Sequence, residues 1–158
     1  VSYRFEFKFG ISSILALVHD ILIVLSVFSL TQRPIDSSFV AALLTIVGYS
    51  INDTIVIFDR IRENLKLHFR RGGDINELVN TSIYQTLTRS IYTVCTVLFT
   101  TFALYWFGGD TTKDFSFALL VGFFAGCYSS IFIASPIWVV LRNFSEKRRR
   151  AGSAAAAK

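Results

Sequence analysis

Residues 39–58 read FVAALLTIVGYSINDTIVIF and contain one charged side chain, Asp53. Twenty residues of α-helix, at about 1.5 Å per residue, extend roughly 30 Å, which matches the hydrocarbon core of a bilayer. A carboxyl group inside such a segment costs about 2.5–3.5 kcal/mol to insert, and residues of this kind mark ion pathways or polar contacts between helices. The segment therefore predicts a membrane-spanning helix, with Asp53 as the candidate functional residue.

Three further apolar runs lie around this segment, at residues 11–30, 90–107 and 116–141. Most charged residues fall between the runs, whereas a soluble domain of this size would distribute its charges at helical or strand period. We therefore predict an all-α fold, a polytopic transmembrane helix bundle.

Turn signals and charges set the predicted boundaries. The transmembrane domain is expected to span residues 11–142, with helices at 11–30, 39–58 extending to about 66, 86–107 and 115–141. Residues 1–10 are interpreted as the end of a preceding helix and a cytoplasmic turn, and residues 143–158 as a basic cytoplasmic tail.

Two features qualify these boundaries. The chain has no methionine and begins at Val1, so we expect a fragment or a processed chain, and its last residues, AGSAAAAK, are typical of an appended low-complexity segment. Pro136 is expected to bend helix four near its inner end.

The cytoplasmic segment at residues 59–85 is predicted to contain a break and a second helix. Gly72 and Gly73 interrupt the extension of helix two, and Asp74 with Glu77 has the spacing of a capping box. One apolar stripe follows at helical period, formed by Ile75, Leu78, Val79 and Ile83. We expect this amphipathic helix to lie on the membrane surface or against the cytoplasmic helix ends.

Positive charge is distributed unevenly between the two ends of the predicted bundle. With the last residue, Lys158, set aside, 13 of the other 15 Lys and Arg residues lie before the first run, between the second and third, or after the fourth, whereas Arg33 and Lys113 lie in the opposite loops. The positive-inside rule places the larger group, and with it both termini, in the cytoplasm. Topology and anionic lipids explain this charge, so no nucleic acid partner is predicted.

Helix three carries the candidate cationic partner of Asp53. Asp53 lies about six residues, or roughly 9 Å, from the polar end of helix two, and Arg89 lies at a similar depth or less in helix three. The long side chain of Arg89 is therefore able to reach the same layer and form a proton-coupling pair. Two alternatives remain open: Arg89 extends to the lipid head groups, or Asp53 only hydrogen-bonds to hydroxyl groups for packing.

Further polar residues surround this candidate site. Ser50, Asn52 and Thr54 are close to Asp53 in sequence, and His19 with Asp20 lies at mid-membrane in helix one. Consecutive residues point about 100° apart on a helix, so Asp20 is able to face the bundle while His19 faces elsewhere. Either residue is a candidate for a proton relay, and the alternative is a polar link between helices.

Small residues recur at every fourth position of helix four, namely Ala118, Gly122, Gly126, Ser130 and Ala134. Ridges of this kind allow two membrane helices to approach closely. We predict a close helix–helix contact there, with a structural role.

Catalytic, metal and cofactor sites are not predicted. Cys95 and Cys127 lie in apolar runs without the spacing of metal ligands, and the sequence has no nucleophile or phosphate-binding motif. Asp20 and Asp53 are a formal candidate pair for an intramembrane hydrolase, but no local motif supports it.

Residues 48–64, GYSINDTIVIFDRIREN, resemble the signature of the SecD/SecF family of bacterial protein-export membrane proteins. Further similar segments are RFE at 4–6, ALVHD at 16–20, NTSIYQTLTRS at 80–90, and parts of the last loop and helix at 108–136. The resemblance covers about residues 1–142. One departure is TVCT at 93–96, which replaces a stretch richer in Ser and Thr.

The resemblance implies an RND-type bundle and a role in protein export across the bacterial cytoplasmic (inner) membrane, driven by the proton motive force. Members have six helices, with a large external domain between the first two, so this chain would hold the end of helix two and helices three to six. The implied partners are SecD, the SecYEG translocon, YidC, the translocating polypeptide and membrane lipids. In the family, the Asp and Arg that match Asp53 and Arg89 are linked to proton-driven translocation.

The coupling ion implied by the resemblance is H⁺, with Na⁺ as the alternative. Two other functions also remain open. One is another RND-type proton-coupled exporter, and the other is a purely structural partner of the translocation channel.

Overall fold

The computed structural model describes residues 2–68 and 74–156 of the chain. All regular structure in these residues is helical. The elements are α1 Ser2–Leu30, α2 Ser37–His68, α3 Ile75–Phe107, α4 Asp110–Ser129, a π-helical segment Ser130–Ala134, and α5 Ser135–Ala156.

Four helical stretches of the described residues are long and apolar enough to cross a bilayer, namely Phe7–Leu30, Ser37–Leu67, Ile75–Phe107 and Asp110–Gly152. The fourth stretch joins α4, the π-helical segment and α5. The predicted all-α bundle with four spanning helices is therefore confirmed.

Aspartates cap two of the helices. Asp36 precedes α2, and its Oδ1 accepts a hydrogen bond from the backbone N–H of Phe39 at 3.0 Å. Asp74 precedes α3, and its Oδ1 accepts from the backbone N–H of Asn76 at 3.3 Å rather than from that of Glu77. These contacts satisfy backbone donors that the first turn of a helix leaves unpaired.

The helices are more continuous than the sequence analysis predicts. α1 passes through the turn expected within residues 1–10, a stretch without proline. α3 unites the amphipathic segment, expected as a separate helix, with the third spanning helix, because residues 75–107 contain neither glycine nor proline. The break expected at Gly72 and Gly73 lies outside the described residues.

The fourth spanning stretch differs from its prediction at both ends and in the middle. The helical region that contains it begins at Asp110 and continues to Ala156, so part of the expected tail is helical. The π-helical segment ends just before Pro136, where a bend is predicted. Pro136 has no N–H to donate to the carbonyl of Phe132, and its ring crowds that carbonyl, so a wider turn relieves the conflict.

Two apolar clusters form the core. The loop-end cluster lies near the short loops at 31–36 and 108–109 and contains Val24, Phe28, Phe39, Ala42, Ile46, Ala118, Leu119 and Phe123. The basic-end cluster lies toward the positively charged end and contains Ala16, Ile57, Phe58, Ile61, Leu65, Val79, Ala134 and Trp138. The apolar stripe of α3 packs on the basic-end cluster through Ile75, Leu78 and Ile83 and contributes Val79 to it.

An ion pair fastens the loop end of the bundle. The Arg33 guanidinium donates a hydrogen bond to Asp114 and lies 4.2 Å from the ring centroid of Phe117. Burial is the largest single influence and would lower the pKa of Arg33, but the hydrogen bonds to Asp114 and Tyr105 and the attraction of their charges together outweigh it and raise the pKa. The pair ties the α1–α2 loop to α4.

Candidate functional site

A layer of buried polar side chains separates the two apolar clusters. It consists of Asp20 on α1, Ser50, Asp53 and Thr54 on α2, Ser90 on α3, and Ser129 with Ser130 where α4 meets the π-helical segment. A polar group is costly to bury unless it is hydrogen-bonded. The partners of each group in this polar layer therefore indicate what the layer can do.

Asp53 lies where α2 meets α3. Its side chain is buried, and its Oδ1 accepts a hydrogen bond from Ser90 Oγ at 2.9 Å. Its Oδ2 is also buried and has no hydrogen-bond partner among the described residues. Ser130 Oγ lies nearby but pairs with Thr54 Oγ1 at 3.0 Å. Asp53 therefore has one oxygen tied to α3 and one oxygen available to a proton.

Arg89 does not contact Asp53 in this structure. The side chain of Arg89 is exposed and forms no hydrogen bond or ion pair with the carboxyl, although it is close enough to act on Asp53 electrostatically. Ser90, the next residue, faces α2 instead, because consecutive residues lie about 100° apart on a helix. The functional pairing of Arg89 with Asp53 stays a prediction.

Asp20 is the second carboxyl of the polar layer. It is fully buried, and its Oδ2 accepts hydrogen bonds from Ser50 Oγ at 2.6 Å and from Ser129 Oγ at 2.9 Å. Its Oδ1 lies 3.5 Å from Nδ1 of His19. The His19 ring is partly exposed and lies against Tyr128, with 6.5 Å between ring centroids. Asp20 thus faces the bundle interior, and His19 lies at its rim.

The other three polar residues expected around Asp53 divide into two groups. Ser50 and Thr54 are buried and belong to the polar layer. Asn52 is exposed and lies outside it, because its position on α2 is rotated by about 100° from that of Asp53. A supporting role for Asn52 inside the bundle therefore does not agree with its position.

The small-residue ridge of α4 and the π-helical segment is buried at all five positions, which are Ala118, Gly122, Gly126, Ser130 and Ala134. A Cβ atom added to Gly122 would collide with the side chain of Ile46. A Cβ atom added to Gly126 would lie 3.4 Å from the Cβ of Ser50. The ridge therefore brings the backbone of α4 directly against α2 and beside the polar layer.

Three contacts show how α2 and α4 are aligned. Residues separated by 76 positions meet in each of them, in the pairs Ile46 with Gly122, Ser50 with Gly126, and Thr54 with Ser130. A constant separation means that the two helices run parallel and match turn for turn. The spacing of four on both helices is what places each small residue opposite its partner.

The α2–α3 pair has a second polar contact at its basic end. The Asn64 side chain is 4% exposed, and its Nδ2 donates to Ser82 Oγ at 2.7 Å and to Gln85 Oε1 at 2.9 Å. Arg60 Nε donates to the same Gln85 oxygen at 2.7 Å. These bonds fix the antiparallel register of α2 and α3.

Two hydroxyl donors of the polar layer are not predicted from the sequence. Neither Ser90 nor Ser129 is among the candidate site residues that the sequence indicates. A row of hydroxyls at every fourth position of α3, formed by Ser82, Thr86 and Ser90, is the signal that indicates its buried face. The described residues contain no group of three or more His, Cys, Asp or Glu side chains that could hold a metal ion.

Comparisons of the sequence with known proteins all indicate the same family. Residues 1–144 match the family model described as "Protein export membrane protein SecD/SecF, C-terminal". Protein translocase subunit SecF of Alicyclobacillus acidocaldarius is 57% identical over 157 residues, which cover 99% of this chain and 51% of that protein. Protein translocase subunit SecDF of Bacillus subtilis is 46% identical over 149 residues, which cover 94% of this chain and 20% of that protein.

The fold is also similar to a solved structure. A crystal structure of SecDF in its super-membrane-facing form has a TM-score of 0.86 at 47% identity, and the match covers 99% of this chain and 20% of that chain. The chain spans about half the length of the curated SecF relatives that it matches.

Proposed function

Because the chain belongs to the SecD/SecF family of protein-export membrane proteins, we propose that it is the membrane domain of a Sec protein translocase subunit that uses the proton motive force. The observation that carries the proposal is the state of Asp53, a buried carboxyl with one oxygen bonded to Ser90 and the other without a protein partner. A carboxyl placed in this way suits reversible protonation inside a membrane.

Protonation of Asp53 would change how α2 and α3 hold together. A charged carboxylate accepts a hydrogen bond about twice as strongly as a neutral group does. Uptake of a proton therefore weakens the bond from Ser90, and release of the proton strengthens it again. The packing of α2 against α3 therefore depends on whether Asp53 is charged.

The available energy is sufficient for such a switch. One elementary charge that crosses 100 mV supplies about 2.3 kcal/mol, which is similar to the cost of about 2.5–3.5 kcal/mol for placing one carboxyl in a membrane helix. One proton is therefore able to bias the helices between two packings. In the whole protein, this movement would be passed to parts outside the membrane.

The proposed setting is the bacterial cytoplasmic (inner) membrane, with both ends of the chain in the cytoplasm. The name of the Bacillus relative, SecDF, supports SecD as the direct partner. SecYEG, YidC and the translocating polypeptide are the further proposed partners. We assign no enzymatic activity to the domain.

Asp53→Asn in the full-length protein, assembled with SecD in inverted membrane vesicles, tests the proposal. Asparagine keeps the size of the side chain and still accepts a hydrogen bond from Ser90, but it cannot take up a proton. We expect the force-dependent stage of export and the proton flux to fall at least tenfold, while assembly with SecD is retained. Wild-type export rates in this variant would refute the proposal.

Asp59→Asn is the matched control. Asp59 is an exposed carboxyl on the same helix, six residues after Asp53, and its substitution should leave both rates unchanged. Repeating the export assay with K⁺ in place of Na⁺ identifies the coupling ion. Force-dependent export that stops when Na⁺ is absent would assign Na⁺ as that ion.

The close α2–α4 contact favours a second candidate function, a structural partner that only steadies the channel. This function predicts that Asp53→Asn and Arg89→Ala have no effect on export. It also predicts that large residues at Gly122 or Gly126 reduce assembly. Export assays on these variants distinguish the two candidates.

A further inference from the structure

Asp20 is a buried carboxyl that the proposed function does not use. It is 0% exposed, and no arginine or lysine side chain pairs with it within the described part of the chain. The hydroxyls of Ser50 and Ser129 both donate to Oδ2, whereas Oδ1 has only His19 Nδ1 at 3.5 Å, which is at the limit of hydrogen bonding. A buried carboxylate without a cationic partner is costly to keep in an apolar surrounding.

Two pairs of residues that are neighbours along a helix place Asp20 close to Asp53. Ser50, which donates to Asp20, lies three residues before Asp53 on α2, or about one helical turn away. Ser129, the other donor to Asp20, is followed by Ser130, which lies beside the Asp53 carboxyl. The two carboxyls therefore belong to one small region between the apolar clusters.

The surroundings of Asp20 contain little that would balance a second negative charge. Among the described residues, the titratable groups near the two carboxyls are His19 beside Asp20, Tyr128 against His19, and Tyr49, Cys127 and the exposed Arg89 around Asp53. Among these, His19 is the group that becomes positive when it takes up a proton, and it lies at the rim. Two negative charges in one poorly polarisable region repel each other, so a single charge between the two carboxyls costs less than two charges.

We infer that Asp20 is a second proton-binding residue of this membrane domain, and that Asp20 and Asp53 share a single negative charge. The inference rests on the proposed function, since it describes the same proton transfer. Each carboxyl gains an O–H bond when it accepts a proton from water admitted to the polar layer, and it loses that bond when the proton returns to water. The α2–α3 contact, through the bond from Ser90 to Asp53, decides which of the two is charged.

Two variants of the full-length protein, assembled with SecD in proteoliposomes, test the inference by proton flux under an imposed pH gradient. Asp20→Asn still accepts hydrogen bonds from Ser50 and Ser129 but cannot bind a proton, so flux should fall at least tenfold with assembly intact. Ser129→Ala removes one hydrogen bond to the carboxyl and leaves the carboxyl in place. It should shift the pH of half-maximal flux by about half a unit or more.

Ser26→Ala is the matched control for Ser129→Ala. Ser26 is exposed on α1, its hydroxyl donates only to the carbonyl of Leu22, and its removal should leave the pH profile unchanged.

Wild-type flux in Asp20→Asn overturns the inference, and so does an unchanged pH profile in Ser129→Ala. If Asp20→Asn fails to assemble with SecD, the pH profile of Ser129→Ala decides. If Asp53→Asn abolishes proton flux while Asp20→Asn keeps it at the wild-type level, the proposed role of Asp20 is refuted and the proposed function stands. If both asparagine variants keep wild-type flux, the proposed function fails as well.

Discussion

Two glycines of the spanning helices, Gly48 and Gly122, have opposite surroundings. A Cβ atom at Gly122 would overlap with the side chain of Ile46, whereas a Cβ atom at Gly48 would have no neighbour within 4 Å. The first glycine is therefore required by a close backbone approach, and the second is free to change. Alanine substitutions at the two positions therefore separate two effects on stability, the packing of the new methyl group and the higher helix propensity of alanine.

Gly122→Ala should destabilise the folded protein by about 1–3 kcal/mol, because Ile46 must leave its position. Gly48→Ala is the control and should be neutral or stabilising by up to about 1 kcal/mol, because alanine is the better helix former. Unfolding of the purified full-length protein in detergent measures both changes.

The double variant Ile46→Ala with Gly122→Ala checks the cause. Removing the Ile46 side chain makes room for the new methyl group, so the second substitution should cost less in this background than in the wild type. Strictly additive effects of the two substitutions would show that the loss at Gly122 has another origin.

At the scale of the helices, the spanning segments could be predicted because long apolar runs are visible without knowledge of packing. The start of α3 at Ile75 could not, because charged and polar residues before an apolar run do not stop a helix. The contacts of the site depend on how each helix is rotated. A rotation of α3 by about 100° exchanges Arg89 for Ser90 opposite Asp53, and the sequence of one helix does not contain that angle.

The basic-end contact between α2 and α3 leads to a prediction at this scale. Asn64→Ala leaves the buried Ser82 hydroxyl without its amide donor and removes a donor to Gln85, so it should destabilise the protein by about 1–3 kcal/mol. Asn80→Ala, at an exposed position of α3, is the control and should change stability little. Denaturant unfolding of the two variants provides the comparison, and equal losses would contradict a specific role for Asn64.

For the whole molecule, the distribution of charge indicates an orientation in the membrane. The basic residues gather at one end, and the short loops with the Arg33–Asp114 pair lie at the other. This asymmetry favours a cytoplasmic basic end. With this orientation, protons driven inward by the proton motive force would enter at the loop end and leave at the basic end.

Cysteine labelling measures this orientation in intact cells. In full-length protein with Cys95→Ser and Cys127→Ser, a cysteine replacing Thr111 should react with a membrane-impermeant maleimide from outside. A cysteine replacing Glu63, which is exposed at the basic end, should react only after the membrane is permeabilised. The reverse pattern would contradict the orientation.

The position of the polar layer between two apolar clusters also sets how well the domain insulates the membrane. Water must pass one cluster or the other to reach Asp20 or Asp53, and the side chains of both clusters offer almost no hydrogen bonds to a water chain. A resting domain should therefore conduct almost nothing, and current should appear only while the helices cycle. A cell whose export has stalled would keep its membrane potential, because the inactive protein provides no path for protons across the membrane.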